Sequence, residues 1–292
     1  MSKISCWIEA MRLRTLPVSV AGVIGACGYA VLDNKFSWPV AVLCLLFAVL
    51  AQIASNFANE YYDFKGGLDR KGREGPRRGV TEGDITPGAM KAAVFVTLGL
   101  ACAIGLSLLL WGPWWLIPIG VAIALGVLAY STGPYPLSHH GLGEVAVIFF
   151  FGIIPVNLTY YLMAGGFTLT VFLGSLALGL MGANVLIVNN YRDHDDDKAV
   201  GKKTLIVMIG RKWGGRLYEF NAIAAYILLL TVWIPLKPNW LMVFPILYLV
   251  LSFILTHLLT HRQGARLTPV LGMTACLMLL YSILFTATAA MV

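Results

Sequence analysis

The stretch Trp38–Asp63, WPVAVLCLLFAVLAQIASNFANEYYD, decides the fold. It opens as an uncharged apolar run from Trp38 to Phe57. As an α-helix such a run is long enough to cross the roughly 30 Å hydrocarbon core of a bilayer. It closes on Asn56, Asn59, Glu60 and Asp63, spaced so that a helix continuing past the membrane boundary carries them on one face. A greasy span whose end becomes a row of carboxylates and carboxamides is therefore the unit to look for elsewhere.

Apolar runs of spanning length recur at Leu16–Leu32, Met90–Leu110, Trp114–Ser131, Gly143–Met163, Leu169–Val188, Leu217–Leu236, Trp240–Leu259 and Pro269–Val292. The fold expected is an all-α polytopic membrane protein, a bundle of about nine transmembrane helices forming a single domain over 1–292. The bulk numbers agree: 59% of residues are hydrophobic and 12% charged, about half the charge of a soluble domain. Mean hydropathy is +0.79. Continuous apolar runs also exclude a β-barrel, which reads as alternating segments of roughly ten residues.

Of the 21 lysines and arginines, all but Lys35 and Lys237 fall on one side of this arrangement. That split predicts a cytoplasmic N-terminus and an outside C-terminus, in the inner membrane of a bacterium. It also accounts for the net charge of +7 without nucleic acid. Lys3, Arg12 and Arg14 precede the first apolar run, and no small-residue cleavage site follows it, so that run is expected to be a span rather than a signal peptide. The five cysteines form no metal or redox pattern and are expected to be packing residues. Trp114, Trp115, Trp233 and Trp240 are expected in an interfacial aromatic belt, and Gly22, Gly25 and Gly28 at a close helix contact.

Ten of the 14 acidic residues lie in two places on the inner side. The first runs from Glu60 and Asp63 through Asp69 to Glu74, Glu82 and Asp84. The second is Asn189-Asn190-Tyr191-Arg192-Asp193-His194-Asp195-Asp196-Asp197, again at the end of an apolar run. Asn189, Asp193 and Asp197 are four apart and share a helix face, from which Asp195 and Asp196 are turned away. Two such patches facing one another would repel unless cations bridged them. Oxygen ligands without a Cys–His pattern suit a hard cation such as Mg²⁺, which takes one or two carboxylates and completes its shell with water and phosphate oxygens. Arg78, Arg192, Lys202 and Lys203 stand near enough in sequence to clamp a diphosphate. Glu74, Glu82, Asp84, Lys198 and Arg211 read as solvated loop charges, His139 and His140 as exposed loop residues, and Glu144 as the cap of a Pro/Gly-made turn. The repetition of the motif 130 residues apart hints at an internal repeat. A transporter or cation channel would also place carboxylates within a bundle, but here they gather at one end.

These motifs resemble the UbiA superfamily of intramembrane prenyltransferases. Asn59-Glu60-xx-Asp63 with Asp69 resembles its first Asp-rich motif, and Asn190-x-Arg192-Asp193-xxx-Asp197 followed by Gly201-Lys202-x-Thr204-Leu205 the second. With Arg14-Thr15-Leu16-Pro17, Gly75-Pro76-x-Arg78-Gly79 and Gly141-Leu142-Gly143-Glu144, the chain is similar to the 1,4-dihydroxy-2-naphthoate polyprenyltransferases. Glu60 departs from the family's more usual Asp. The resemblance implies transfer of a polyprenyl group from its diphosphate to 1,4-dihydroxy-2-naphthoate, with loss of CO₂ and pyrophosphate, in a cavity open to membrane lipid. A sister activity with another quinone or aromatic acceptor is the nearest alternative. The implied metal ligands for Mg²⁺ are Asn59, Glu60, Asp63, Asp69, Asp193 and Asp197. Arg78, Arg192 and Lys202 would steady the diphosphate or the acceptor, with Asn56, Asn59, Asn189 and Asn190 beside them. Tyr130 would shield an allylic cation.

Overall fold

The computed structural model describes residues 2–292. The helices are α1 (Lys3–Met11), α2 (Leu16–Leu32), α3 (Trp38–Lys65), α4 (Gly79–Glu82), α5 (Pro87–Ser107), α6 (Leu116–Ala129), α7 (Gly143–Val147), α8 (Ile154–Ala164), α9 (Leu169–Arg192), α10 (His194–Ala199), α11 (Leu205–Trp233), α12 (Val243–His261) and α13 (Thr268–Ala289). A π-helical segment, Ile148–Ile153, joins α7 to α8. Among the described residues no strand forms; an isolated bridge between His140 and Lys203 ties two loops together.

Helix starts follow local chemistry. Thr86, Thr168 and Thr204 cap α5, α9 and α11, each hydroxyl accepting from the backbone N–H three residues on. Proline opens α2, α3, α5 and α13, where its missing N–H leaves no bond unmade. α3 and α9 run on to Lys65 and Arg192, past the apolar runs that ended at Phe57 and Val188, carrying the polar faces with them.

Among the described residues seven helical stretches are long and apolar enough to cross a membrane. The other two expected spans take different forms. α6 has 14 residues, about 21 Å of helix, and is short of a full hydrocarbon core. α11 begins with a basic, polar stretch and is kinked at Gly210, whose φ of 80° lies in the left-handed region.

α2 packs against α13, α8 and α3; α9 packs against α11, α13 and the π segment; α12 closes on α11 and α13, and α5 and α6 lean on α3. Lipid tails are as apolar as leucine, so close van der Waals approach, not exclusion from water, must hold such helices together. A Cβ on Gly152 would lie 2.4 Å from Gly179 Cα, so the π segment and α9 touch backbone to backbone. The expected contact at Gly25 is equally tight, with a Cβ there falling 2.7 Å from Leu178 Cδ1.

Two expectations need correction. Trp114 and Trp240 are exposed as a belt requires, but Trp233 is fully buried and its indole N–H donates to Tyr281 Oη at 2.8 Å. Cys6, Cys27 and Cys44 are buried, whereas Cys102 and Cys276 face outward from α5 and α13.

Candidate active site

The end of α3 and the end of α9 meet at one end of the bundle, with four connecting segments folded over them. Arg12 adopts a left-handed conformation (φ 53°) between α1 and the turn before α2. Asn56 fixes that hinge by donating to Met11 O at 2.9 Å. Arg12 is thereby turned inward, where its guanidinium donates to Asn59 Oδ1 at 2.5 Å. Arg78 donates to the same oxygen at 3.1 Å, and Asn59 Nδ2 donates to Asp63 and Ser131 at 3.2 Å each.

Asp63 is 2% exposed, and Lys202 Nζ donates to one of its oxygens at 3.2 Å. His139 Nε2 lies 3.1 Å from the other. The backbone of Lys203 bonds His139 O at 3.3 Å, holding this imidazole in place. On the second motif, Arg192 grips Asp193 with two bonds of 2.7 and 2.9 Å and bonds Asn189 at 2.8 Å. Arg73 joins the motifs directly: it donates to Asp69, and to Asp193 Oδ2 at 2.8 Å. Asp69 and Asp193, 124 positions apart, thus share Arg73, while Asp63 is held by Lys202 and His139.

The helical rhythm of the second motif survives a break. α9 stops at Arg192 and α10 starts at His194, yet Asp193 N bonds Asn189 O and Asp197 N bonds Asp193 O. Asn189, Asn190, Asp193 and Asp197 therefore all line one polar cavity of about 140 Å³, with Asn56 and Asn59 opposite. Asp195 points outward and pairs with Arg211 at 3.0 Å. Asp196 pairs with Arg70 and accepts from Glu74 N at 2.7 Å, and Glu74 in turn accepts from Ala265 N at 3.0 Å. These contacts strap the 66–78 loop across the mouth.

Electrostatics reflect crowding. Burial pushes Asp69 above the usual carboxylate range, although Arg73 pulls the other way. Burial, opposed by Lys202 and reinforced by the charges of Asp193 and Asp63, pushes Asp197 up to about 6. Burial acts on Asp193 too, but the hydrogen bond and charge of Arg192, with Arg73 and Lys202, outweigh it and hold that carboxylate low. Lys202 is held above its ordinary value, because Asp63 and Asp197 outweigh the cost of its burial.

Among the described residues several buried polar atoms make no hydrogen bond: Arg12 Nε, Arg73 Nε, Arg78 Nε and Nη1, Asp69 Oδ2 and Glu144 Oε2, although Arg78 Nε and Asp69 Oδ2 form an ion pair at 3.4 Å. Each such group costs about 1–3 kcal/mol if left unmade. Three guanidiniums with spare donors suit an anion with several oxygens, and crowded carboxylate oxygens suit a hard cation. Among the described residues no three acids or histidines already enclose a metal-sized space; lysine and arginine side chains bridge the acids instead. The donor chemistry fits Mg²⁺ bound together with a diphosphate.

A second cavity, of about 420 Å³ and walled by apolar side chains of α3, α5, α6 and α8, adjoins the polar one. Tyr130, Val147 and Phe151 line both. Leu106, Ile117, Val121 and Leu125 line the apolar cavity and are also exposed on the outer surface, so it opens sideways between α5 and α6.

Other expectations change here. Glu60 is turned from the Asn59–Asp63 face: its Oε1 accepts from Val80 N at 3.0 Å, which fixes α4 rather than facing the other acids. Lys203 contributes backbone, and its side chain is exposed. His139 is not a free loop residue, and Glu144, in the first turn of α7, is buried in the polar cavity. Nothing in the spacing of Arg12 and Arg73 ties them to the residues they bond, 47 and 120 positions away.

Residues 19–283 match the UbiA prenyltransferase family. The 1,4-dihydroxy-2-naphthoate octaprenyltransferase of Haemophilus influenzae is 31% identical, over 97% of this chain and 95% of its own. The enzyme of that name from Escherichia coli is 37% identical over 72% of this chain and 70% of its own. A UbiA homologue from Archaeoglobus fulgidus, solved with DMAPP and Mg²⁺, has the same fold at a TM-score of 0.70 and 16% identity, covering 96% of this chain and 99% of that one.

Proposed function

This chain belongs to the UbiA prenyltransferase family, and from that premise we propose that it transfers a polyprenyl group from polyprenyl diphosphate to 1,4-dihydroxy-2-naphthoate in menaquinone synthesis. Relatives that carry this activity in their names match most of the chain. The observation that carries the chemistry is the meeting of two acidic motifs and three under-bonded arginines at the mouth of a lipid-open apolar cavity. A polyprenyl diphosphate is too greasy for water and too charged for lipid, and this pair of cavities accommodates each end.

In this reading Asn59, Asp63, Asp69, Asp193 and Asp197 would hold Mg²⁺, which when bound would supply positive charge for the diphosphate leaving group. Arg12, Arg73, Arg78 and Lys202 take the phosphate oxygens, and Arg192 orients Asp193. The apolar walls bind the isoprenoid and exclude water from the allylic carbon as its C–O bond breaks. Tyr130, on the boundary of both cavities, presents its ring to the positive charge that develops there. The electron-rich naphthoate ring attacks, and its carboxyl group leaves as CO₂. The whole chain acts as one domain, with the site on the cytoplasmic side of a bacterial inner membrane. The one-sided distribution of basic residues supports that orientation.

A donor-and-acceptor panel with purified protein in liposomes tests this. Dihydroxynaphthoate with a long prenyl diphosphate should give demethylmenaquinol, CO₂ and pyrophosphate in equal amounts, the quinol then oxidising in air to demethylmenaquinone. Preference for a benzenoid acceptor would point instead to a sister activity.

A further inference from the structure

Neither the cation nor the diphosphate accounts for one carboxyl in the polar cavity. Glu144, at the start of α7, is 4% exposed. Its Oε1 accepts from Asn190 Nδ2 at 2.9 Å, while Oε2 is buried with no partner among the described residues. Native structures rarely leave such an oxygen unpaired unless something else completes it.

Its surroundings narrow what that is. Glu144 and Val147 lie three apart on one helical face and line the polar cavity, and Val147 also lines the apolar one. Gly182, Val185 and Leu186 of α9 line the same space. The Tyr130 ring stands beside α7, with its hydroxyl 3.5 Å from where a Cβ on Gly143 would be. A diphosphate would be a poor partner for a carboxyl, and an isoprenoid tail offers no hydrogen bond. A flat aromatic ring bearing a hydroxyl matches apolar walls with one carboxyl among them, since a hydroxyl donates to a carboxylate and accepts from a carboxylic acid.

We propose that Glu144 Oε2, backed by Asn190, pairs with a ring hydroxyl of the aromatic acceptor and sets that ring where the two cavities join. This rests on the prenyl-transfer reading above and adds an acceptor-binding residue to it. The contact fixes the ring's orientation, so that one face looks toward the allylic carbon and its carboxyl group is kept away from the Glu144 carboxyl.

The test is competitive inhibition of the purified protein by naphthoates with and without ring hydroxyls. With the wild type, 1-hydroxy- or 4-hydroxy-2-naphthoate should bind roughly tenfold more tightly than 2-naphthoate, as one buried hydrogen bond predicts. Glu144→Ala should erase that advantage and Glu144→Gln should keep most of it, with the KM for the prenyl diphosphate unchanged in both. An advantage equally large in Glu144→Ala, or none in the wild type, overturns the assignment. If the variants do not insert, the wild-type comparison decides alone. Failure of the wild type to prenylate any aromatic acceptor would contradict the prenyl-transfer premise itself, and is read separately from the inhibition constants.

Discussion

Asp197 shows how one side chain records the pressure on the whole site. It is buried beside Asp193 and Asp63, and its carboxyl is pushed up to about 6 from an ordinary 3.8. A group whose folded-state value is raised favours folding while protonated. Its contribution is therefore complete below about pH 4 and lost as pH rises through 6. Such a shift corresponds to a few kcal/mol at most. Metal-free protein should accordingly lose thermal stability between pH 4 and 6.5, and Asp197→Asn should flatten that slope. An unchanged slope in a melting series would remove Asp197 from the crowded cluster. At this scale the sequence disclosed the acids, because three-and-four spacing puts them on one helix face. It did not disclose Glu60's different role: a Cα one position along the helix points toward α4, a fact of packing that no local pattern contains.

Among elements, the contact between the π segment and α9 sets the shape of both cavities. Phe151, on that segment, lines each of them, and its neighbour Gly152 rests on Gly179. Gly152→Ala would place a methyl 2.4 Å from Gly179 Cα and 2.5 Å from Ser175 O. Backbone cannot yield as a flexible side chain does, so the helices must part, at a cost of about 1–3 kcal/mol. Lower thermal stability in detergent and a higher KM for the prenyl diphosphate are expected. Wild-type values for both would mean that the approach is not tight. The helices themselves were legible because a bilayer leaves backbone no other way to satisfy its polar groups. Their partners were less so. α6 reads as an ordinary span but has 14 residues, and Trp233 reads as an interfacial tryptophan but lies in the core. Both depend on neighbours supplied from elsewhere in the chain.

At the scale of the molecule, segments before α2, after α3, after α6 and after α9 converge on one end of the bundle, while the apolar cavity opens sideways between α5 and α6. Arg12, Arg73 and His139 reach the site from three of those segments, and their sequence distances from the acids hid them. The central claim is that both acidic motifs form one cation-dependent diphosphate site. Calorimetric titration of an unreactive prenyl thiolodiphosphate, with and without Mg²⁺, tests it on the wild type, Asp63→Ala, Asp193→Ala and the double variant. Binding should require Mg²⁺ and weaken by at least about tenfold in each single variant. The double variant should lose little more than either single one, because residues acting on one shared ligand are not additive. Tight binding without Mg²⁺, or full binding after the loss of either carboxylate, would contradict it.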